Sequence, residues 1–110
     1  MQTMEQLSLQ HIPQTVRLYE DNNLRARRTI DLIAEPDGGI TLSGGDIGRA
    51  VEEHFGDSDW EFWTKIPPAA VQRLAFALLR ERYTGRTDAW IELKEFCAAN
   101  GIAQQSGDWA

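Results

Sequence analysis

The stretch IPPAAVQRLAFALLRERYTG, Ile66 to Gly85, carries the longest helical apolar pattern of the chain and decides how the rest is read. Val71, Leu74, Ala75, Leu78 and Leu79 recur at i, i+3, i+4, i+7 and i+8, the spacing of one helix face, and Phe76 and Tyr83 widen that face. Gln72, Arg73, Arg80 and Glu81 fall on the opposite side. Pro67 and Pro68 stop a preceding strand and suit a first helical turn, where the missing N–H has no bond to lose. So broad a stripe calls for two partners, a sheet face and a second helix.

Upstream the period changes from helical to alternating. TVRLYED, from Thr15, turns Val16 and Leu18 one way and Arg17 and Tyr19 the other, as a half-buried strand requires. Asp21, Asn22 and Asn23 make a turn into RARRTIDLIAEP, where Ile30, Leu32 and Ala34 mark an inward face and Thr29, Asp31 and Ile33 the outer one. PDGG closes a second hairpin, and Ile40 and Leu42 form a short third strand. SGGDIGRAVEEHFG then reads as a short helix with Asp46 as its N-cap and Gly56 as its stop. DSDWEFWTKI is a fourth strand, with Trp60, Phe62 and Ile66 on one face and Trp63 on the other. TGRT leads to a second amphipathic helix, TDAWIELKEFCAANG, with Trp90, Leu93, Phe96 and Cys97 on one side and Asn100 and Gly101 at its end. Ile102 follows that glycine as a contact residue, and the tail to Trp109 is a candidate fifth strand. The expected fold is α+β: a single two-layer domain over residues 14–110, with an antiparallel sheet of four to five strands packed against two long helices plus one short helix. Residues 1–13 are expected to fray, although Leu7, Leu9 and His11 alternate as in a short edge strand.

At 110 residues the chain buries roughly two thirds of its unfolded surface and stands without disulfide or metal. Cys97 is the only cysteine, so no internal disulfide forms, and its place in a helical pattern suggests a small buried hydrophobe in a reducing compartment. The opening MQTMEQLSLQHIPQ has neither a basic nor an apolar leader region, and no apolar run nears the ~20 residues of a membrane span. A cytoplasmic protein without membrane contact is expected.

The formal net charge of -6 is concentrated: nine acidic residues and one basic residue, Arg49, lie between Asp31 and Glu61. Such a surface repels phosphate backbones and steers basic partners. GDSDWE sets Asp57, Asp59 and Glu61 at alternate positions but lacks the spacing of a calcium loop, and no metal site is expected. His54 lies near those carboxylates, yet no nucleophile pairs with it: Ser43 and Ser58 sit in no elbow motif and Cys97 reads as buried. Gly38, Gly39, Gly44 and Gly45 lack phosphate-loop spacing and read as turn glycines. No catalytic residue and no cofactor is therefore expected, and an enzyme or metal domain around His54, Asp57 and Asp59 ranks last. Tyr19 with Arg25, Arg27 and Arg28 offers a stacking ring and cations to single-stranded nucleic acid, although the overall acidity opposes it and edge arginines also guard against aggregation.

The run from Ser43 to Tyr83, SGGDIGRAVEEHFGDSDWEFWTKIPP through ALLRERY, resembles a type of small bacterial α+β protein. The resemblance spans somewhat under half of the chain and implies a bacterial cytoplasmic source, with no activity attached to any residue. What remains is the outward aromatic within the acidic segment. Alternation puts Trp63 beside Glu61 and Lys65, where a large indole needs a cover, supplied by a partner, by the N-terminal segment or by a homodimer. The first expectation is a non-enzymatic protein-binding module, a small immunity, antitoxin or other inhibitor protein that masks a basic partner. Trp63 is its anchor, and Glu52, Glu53, Asp57, Asp59 and Glu61 are its charged rim.

Overall fold

The computed structural model describes residues 14–22, 27–47 and 59–109. Its elements are β1 (Gln14–Asn22), β2 (Arg27–Ala34), β3 (Ile40–Ile47), β4 (Asp59–Ile66), α1 (Pro68–Tyr83) and α2 (Ala89–Ala99). The class is α+β, as expected: a four-stranded antiparallel sheet in the order β1-β2-β3-β4, and two helices. Contacts divide the chain into two compact units, Met1–Arg73 and Leu74–Ala110.

In the first unit each strand pairs with its neighbour in sequence. The hairpin predicted at PDGG is present, and its residues explain it. Pro36 takes the second position of a turn in which the Gly38 N–H donates to the Glu35 carbonyl at 3.0 Å. Gly38 adopts φ +94°, and the Asp37 side chain accepts the Gly39 N–H at 2.8 Å. A Gly38→Ala variant places a Cβ on left-handed backbone. It should lose about 1–2 kcal/mol of unfolding free energy in urea titration, against no change for Asp108→Ala in the exposed tail.

Register assigns the two faces. Ile30, Leu32 and Ala34 pair with Gly44, Leu42 and Ile40, which pair in turn with Phe62, Thr64 and Ile66. These residues share one face with Val16, and Trp60 joins them opposite Asp46. Trp63 lies on the other face, opposite Ser43. The alternation expected for β2 and β4 therefore holds.

Three expectations need correction. The third strand is not short: it runs eight residues to Ile47. Ser43, Gly44, Gly45 and Asp46 are thus sheet residues, Asp46 caps no helix, and this glycine pair makes no turn. Turn-type residues were carried into a strand by pairing on both sides, because β3 is a central strand bonded to both β2 and β4. Second, the register of β1 shifts between Arg17 and Tyr19, so that Tyr19 pairs with Ile30. The added residue is a β-bulge, and it carries Tyr19 onto the face of Val16 instead of the face of Arg17. Third, residues 102–109 form no fifth strand. The rest of the short helix, the turn at Asn23 and the N-terminal segment lie outside the described residues.

In the second unit α2 ends as its sequence requires. Gly101 takes φ +66°, the Ile102 N–H donates to the Cys97 carbonyl at 2.9 Å, and the Gly101 N–H donates to the Ala98 carbonyl at 3.4 Å. This paired closure satisfies carbonyls that the helix leaves open. The Asn100 side chain adds a bond to the Phe96 carbonyl at 2.8 Å. Cys97 is half-buried, whereas Trp90 and Phe96 on the expected face remain about half exposed. On α1 the half-buried positions are Ala70, Val71, Leu74, Ala77 and Tyr83, while Leu78 and Phe76 stand out to solvent. Small alanines therefore share the protected side, and the stripe is rotated from the one that the largest side chains suggest.

Candidate functional site

The outer face of the sheet, the one bearing Trp63, is built from three transverse rows. Ile33, Thr41 and Lys65 form one row; Asp31, Ser43 and Trp63 the next; Thr29, Gly45 and Glu61 the third. The middle strand contributes only Thr41, Ser43 and Gly45, so its floor is low. Residues of β2 and β4 stand on either side, with backbones about 9.5 Å apart at two strand spacings. The outcome is a trough along β3. Its hollow has a volume of about 640 Å³, lined among others by Asp31, Glu35, Ser43, Glu61, Trp63 and Lys65.

Charge in the trough is mostly negative. Among the described residues this face holds three carboxylates in the lining, Asp31, Glu35 and Glu61, against the single ammonium of Lys65. One of these is already answered by an arginine: Arg17 donates to Asp31 at 2.6 Å, whereas Asp46 lies on the opposite face, where Arg28 forks onto it at 2.6 and 2.7 Å. Glu35 accepts the Thr41 hydroxyl at 2.9 Å. Glu61 makes no hydrogen bond or ion pair with any described residue. Trp63 beside it is 67% exposed, among the most exposed of the large apolar side chains described.

The opposite face is held at one end by a cluster around Phe62. Its ring lies across Gly44, tilts at 49° to Trp60 with centroids 5.3 Å apart, and carries the Arg28 guanidinium 5.4 Å from its centroid. Arg28 thus stacks on an aromatic face while it forks onto a carboxylate, two contacts that a planar guanidinium makes together. Asp46 is 8% exposed, and the two hydrogen bonds from Arg28 hold its carboxyl below the usual carboxylate range against the opposing effect of burial. Glu20 is lowered too, chiefly through its hydrogen bond from Arg27 at 2.7 Å.

Of the expected anchor and rim, Glu61 and Trp63 stand together on β4, and Asp59 opens the same strand. Glu52, Glu53 and Asp57 lie outside the described residues, as does His54. Among the described residues no group of three His, Cys, Asp or Glu side chains could hold a metal ion. The residues named for a nucleic-acid platform divide between the faces among the described residues. Tyr19 and Arg28 share one face, Arg27 pairs with Glu20 on the other, and Arg25 is outside the described residues. Asp31, Glu35 and Ser43 were missed as site residues. The signal was present as the alternation of small polar side chains in T-L-S-G-G, Thr41 to Gly45, once that segment is read as a strand.

Among the described residues no helix is long and apolar enough to cross a membrane. Comparisons with protein-family models, with curated proteins and with solved structures return no match.

Proposed function

We propose that this chain is a non-enzymatic protein-binding module that masks a basic protein, in the manner of a small cytoplasmic immunity, antitoxin or other inhibitor protein. The observation that carries the reading is Trp63, two-thirds exposed on the wall of a hollow whose described residues on that face bring three carboxylates and one ammonium. A large indole left in water is a ready anchor, since tryptophan truncation at the centre of an interface costs at least ~2 kcal/mol. The surrounding carboxylates act at longer range and speed encounter with a basic surface. Arginines 17, 27 and 28 are each engaged by carboxylates of this same chain, which favours a protein partner over nucleic acid.

The two kinds of side chain separate kinetically. With a partner captured on the immobilised chain, Trp63→Ala should raise the dissociation rate so that Kd weakens roughly 30-fold. Asp57→Asn combined with Asp59→Asn should instead slow association and flatten its salt dependence. A captured partner that binds both folded variants as it binds the unsubstituted chain overturns this placement of the interface. Tight binding of single-stranded DNA, lost steeply as salt is raised, overturns the protein-partner reading itself.

A further inference from the structure

We infer that the trough over β3 is a receptor for one arginine side chain of the partner, with its guanidinium seated on the Trp63 indole and forked onto the Glu61 carboxylate. The inference rests on the protein-binding reading above and names the chemistry of its central contact. Three features of the trough select this occupant. Its floor, Thr41, Ser43 and Gly45, carries no side chain larger than threonine, so a long, slender side chain can lie along it. Trp63 supplies an exposed aromatic wall, the best of the ring faces for a cation. Glu61, two residues away on the same face of β4, is a carboxylate with no partner among the described residues.

Guanidinium fits better than ammonium. A planar fork stacks flat on an indole and donates two N–H bonds sideways to a carboxylate, whereas a lysine ammonium is a strongly hydrated point charge. The chain already shows the arrangement on its opposite face, where Arg28 lies 5.4 Å from the Phe62 centroid and forks onto Asp46. Trp63 and Glu61 present the same pair of groups, ring and carboxylate, on neighbouring same-face positions of one strand, and no cation of the described residues bridges them. Lys65 repels a second cation from the far end of the trough, where Glu35 is taken up by Thr41. One arginine, entering beside Glu61, is therefore the occupant.

The test uses hexa-arginine, hexa-lysine and hexa-glutamate peptides against the full, isotope-labelled chain in about 0.1 M salt, where long-range attraction is largely screened. Hexa-arginine is expected to move the Trp63 indole N–H together with the amides of Ser43, Gly45 and Glu61, at lower concentration than hexa-lysine. Trp63→Ala and Glu61→Gln should each weaken it by about tenfold. Both positions are exposed, so both variants should stay folded, which the dispersion of their amide spectra checks directly. Equal binding of hexa-lysine overturns the preference for guanidinium. Hexa-arginine shifts that map elsewhere overturn the trough as receptor while leaving a basic partner in place. Absence of shifts with either cationic peptide overturns the arginine contact, and the kinetic comparison with the captured partner then judges the wider reading separately.

Discussion

Gly44→Ala is expected to destabilise the sheet by about 3 kcal/mol, whereas Gly45→Ala, one residue on, should leave stability within about 1 kcal/mol of the parent or raise it. The two glycines face opposite sides. A Cβ on Gly44 would lie 2.4 Å from the Thr29 carbonyl oxygen and 2.6 and 2.7 Å from Cζ and Cε2 of Phe62. Neither neighbour gives way cheaply: the carbonyl belongs to the paired strand β2, and the ring is held by Trp60 and by Arg28. Among the described residues a Cβ on Gly45 would meet only the Trp60 carbonyl at 3.5 Å, an ordinary contact, and it would restrict the unfolded chain. Against the ~5–15 kcal/mol typical of a folded domain, the first loss is large.

A double-mutant cycle separates the two causes. Phe62 is half-buried, so Phe62→Ala should cost about 2 kcal/mol, less than a fully buried phenylalanine. In that background the Gly44→Ala penalty should shrink without vanishing, because the Thr29 carbonyl remains in place. Urea unfolding of the four proteins measures the coupling. Equal stabilities for the two glycine variants would show that Phe62 does not lie across Gly44, and the register of β3 against β4 would fall with that result.

Gly44 also marks where the sequence misleads. Ser-Gly-Gly-Asp before an apolar run carries turn and N-cap signals together, and local chemistry favours ending the strand there. What overrides those signals is not local. Phe62 supplies from β4 the apolar cover that glycine lacks, and Arg28 supplies from β2 the partner that Asp46 needs at its register position. Both contacts are invisible until pairing is known. Where the local and long-range demands agree, the sequence suffices: Pro36 to Gly39 sets its hairpin, Trp60, Phe62 and Trp63 alternate as assigned, and Gly101 closes α2. The bulge at Leu18 has no such signature, because an inserted residue looks like any other member of an alternating run. Of the candidate site, Trp63 and Glu61 follow from alternation within β4. The trough floor does not, since Ser43 and Gly45 matter only through what stands on either side of them.

Asp46→Asn should lower Tm by roughly 5 °C at neutral pH, and the difference from the parent should disappear in acid. The parent carboxylate takes two charge-assisted hydrogen bonds from Arg28, and Asp46 is only 8% exposed. An asparagine keeps the shape but turns an amide N–H toward a donor that has no lone pair to offer. The pH dependence follows from the lowered carboxyl. Since its folded pKa lies below its unfolded value, the stabilisation is complete above the ordinary carboxylate range and is lost as pH falls through the folded pKa. Glu20, lowered by Arg27, contributes in the same direction, but it is present in both proteins and cancels from the difference. Arg28→Ala should prove more damaging than Asp46→Asn, because it leaves a buried carboxylate with neither hydrogen-bond donor nor compensating charge from this pair. Thermal unfolding from pH 7 down to pH 2 measures all three. A gap between parent and Asp46→Asn that stays constant across that range would mean that the ion pair contributes nothing to stability, and that Asp46 is held in the sheet by backbone pairing alone.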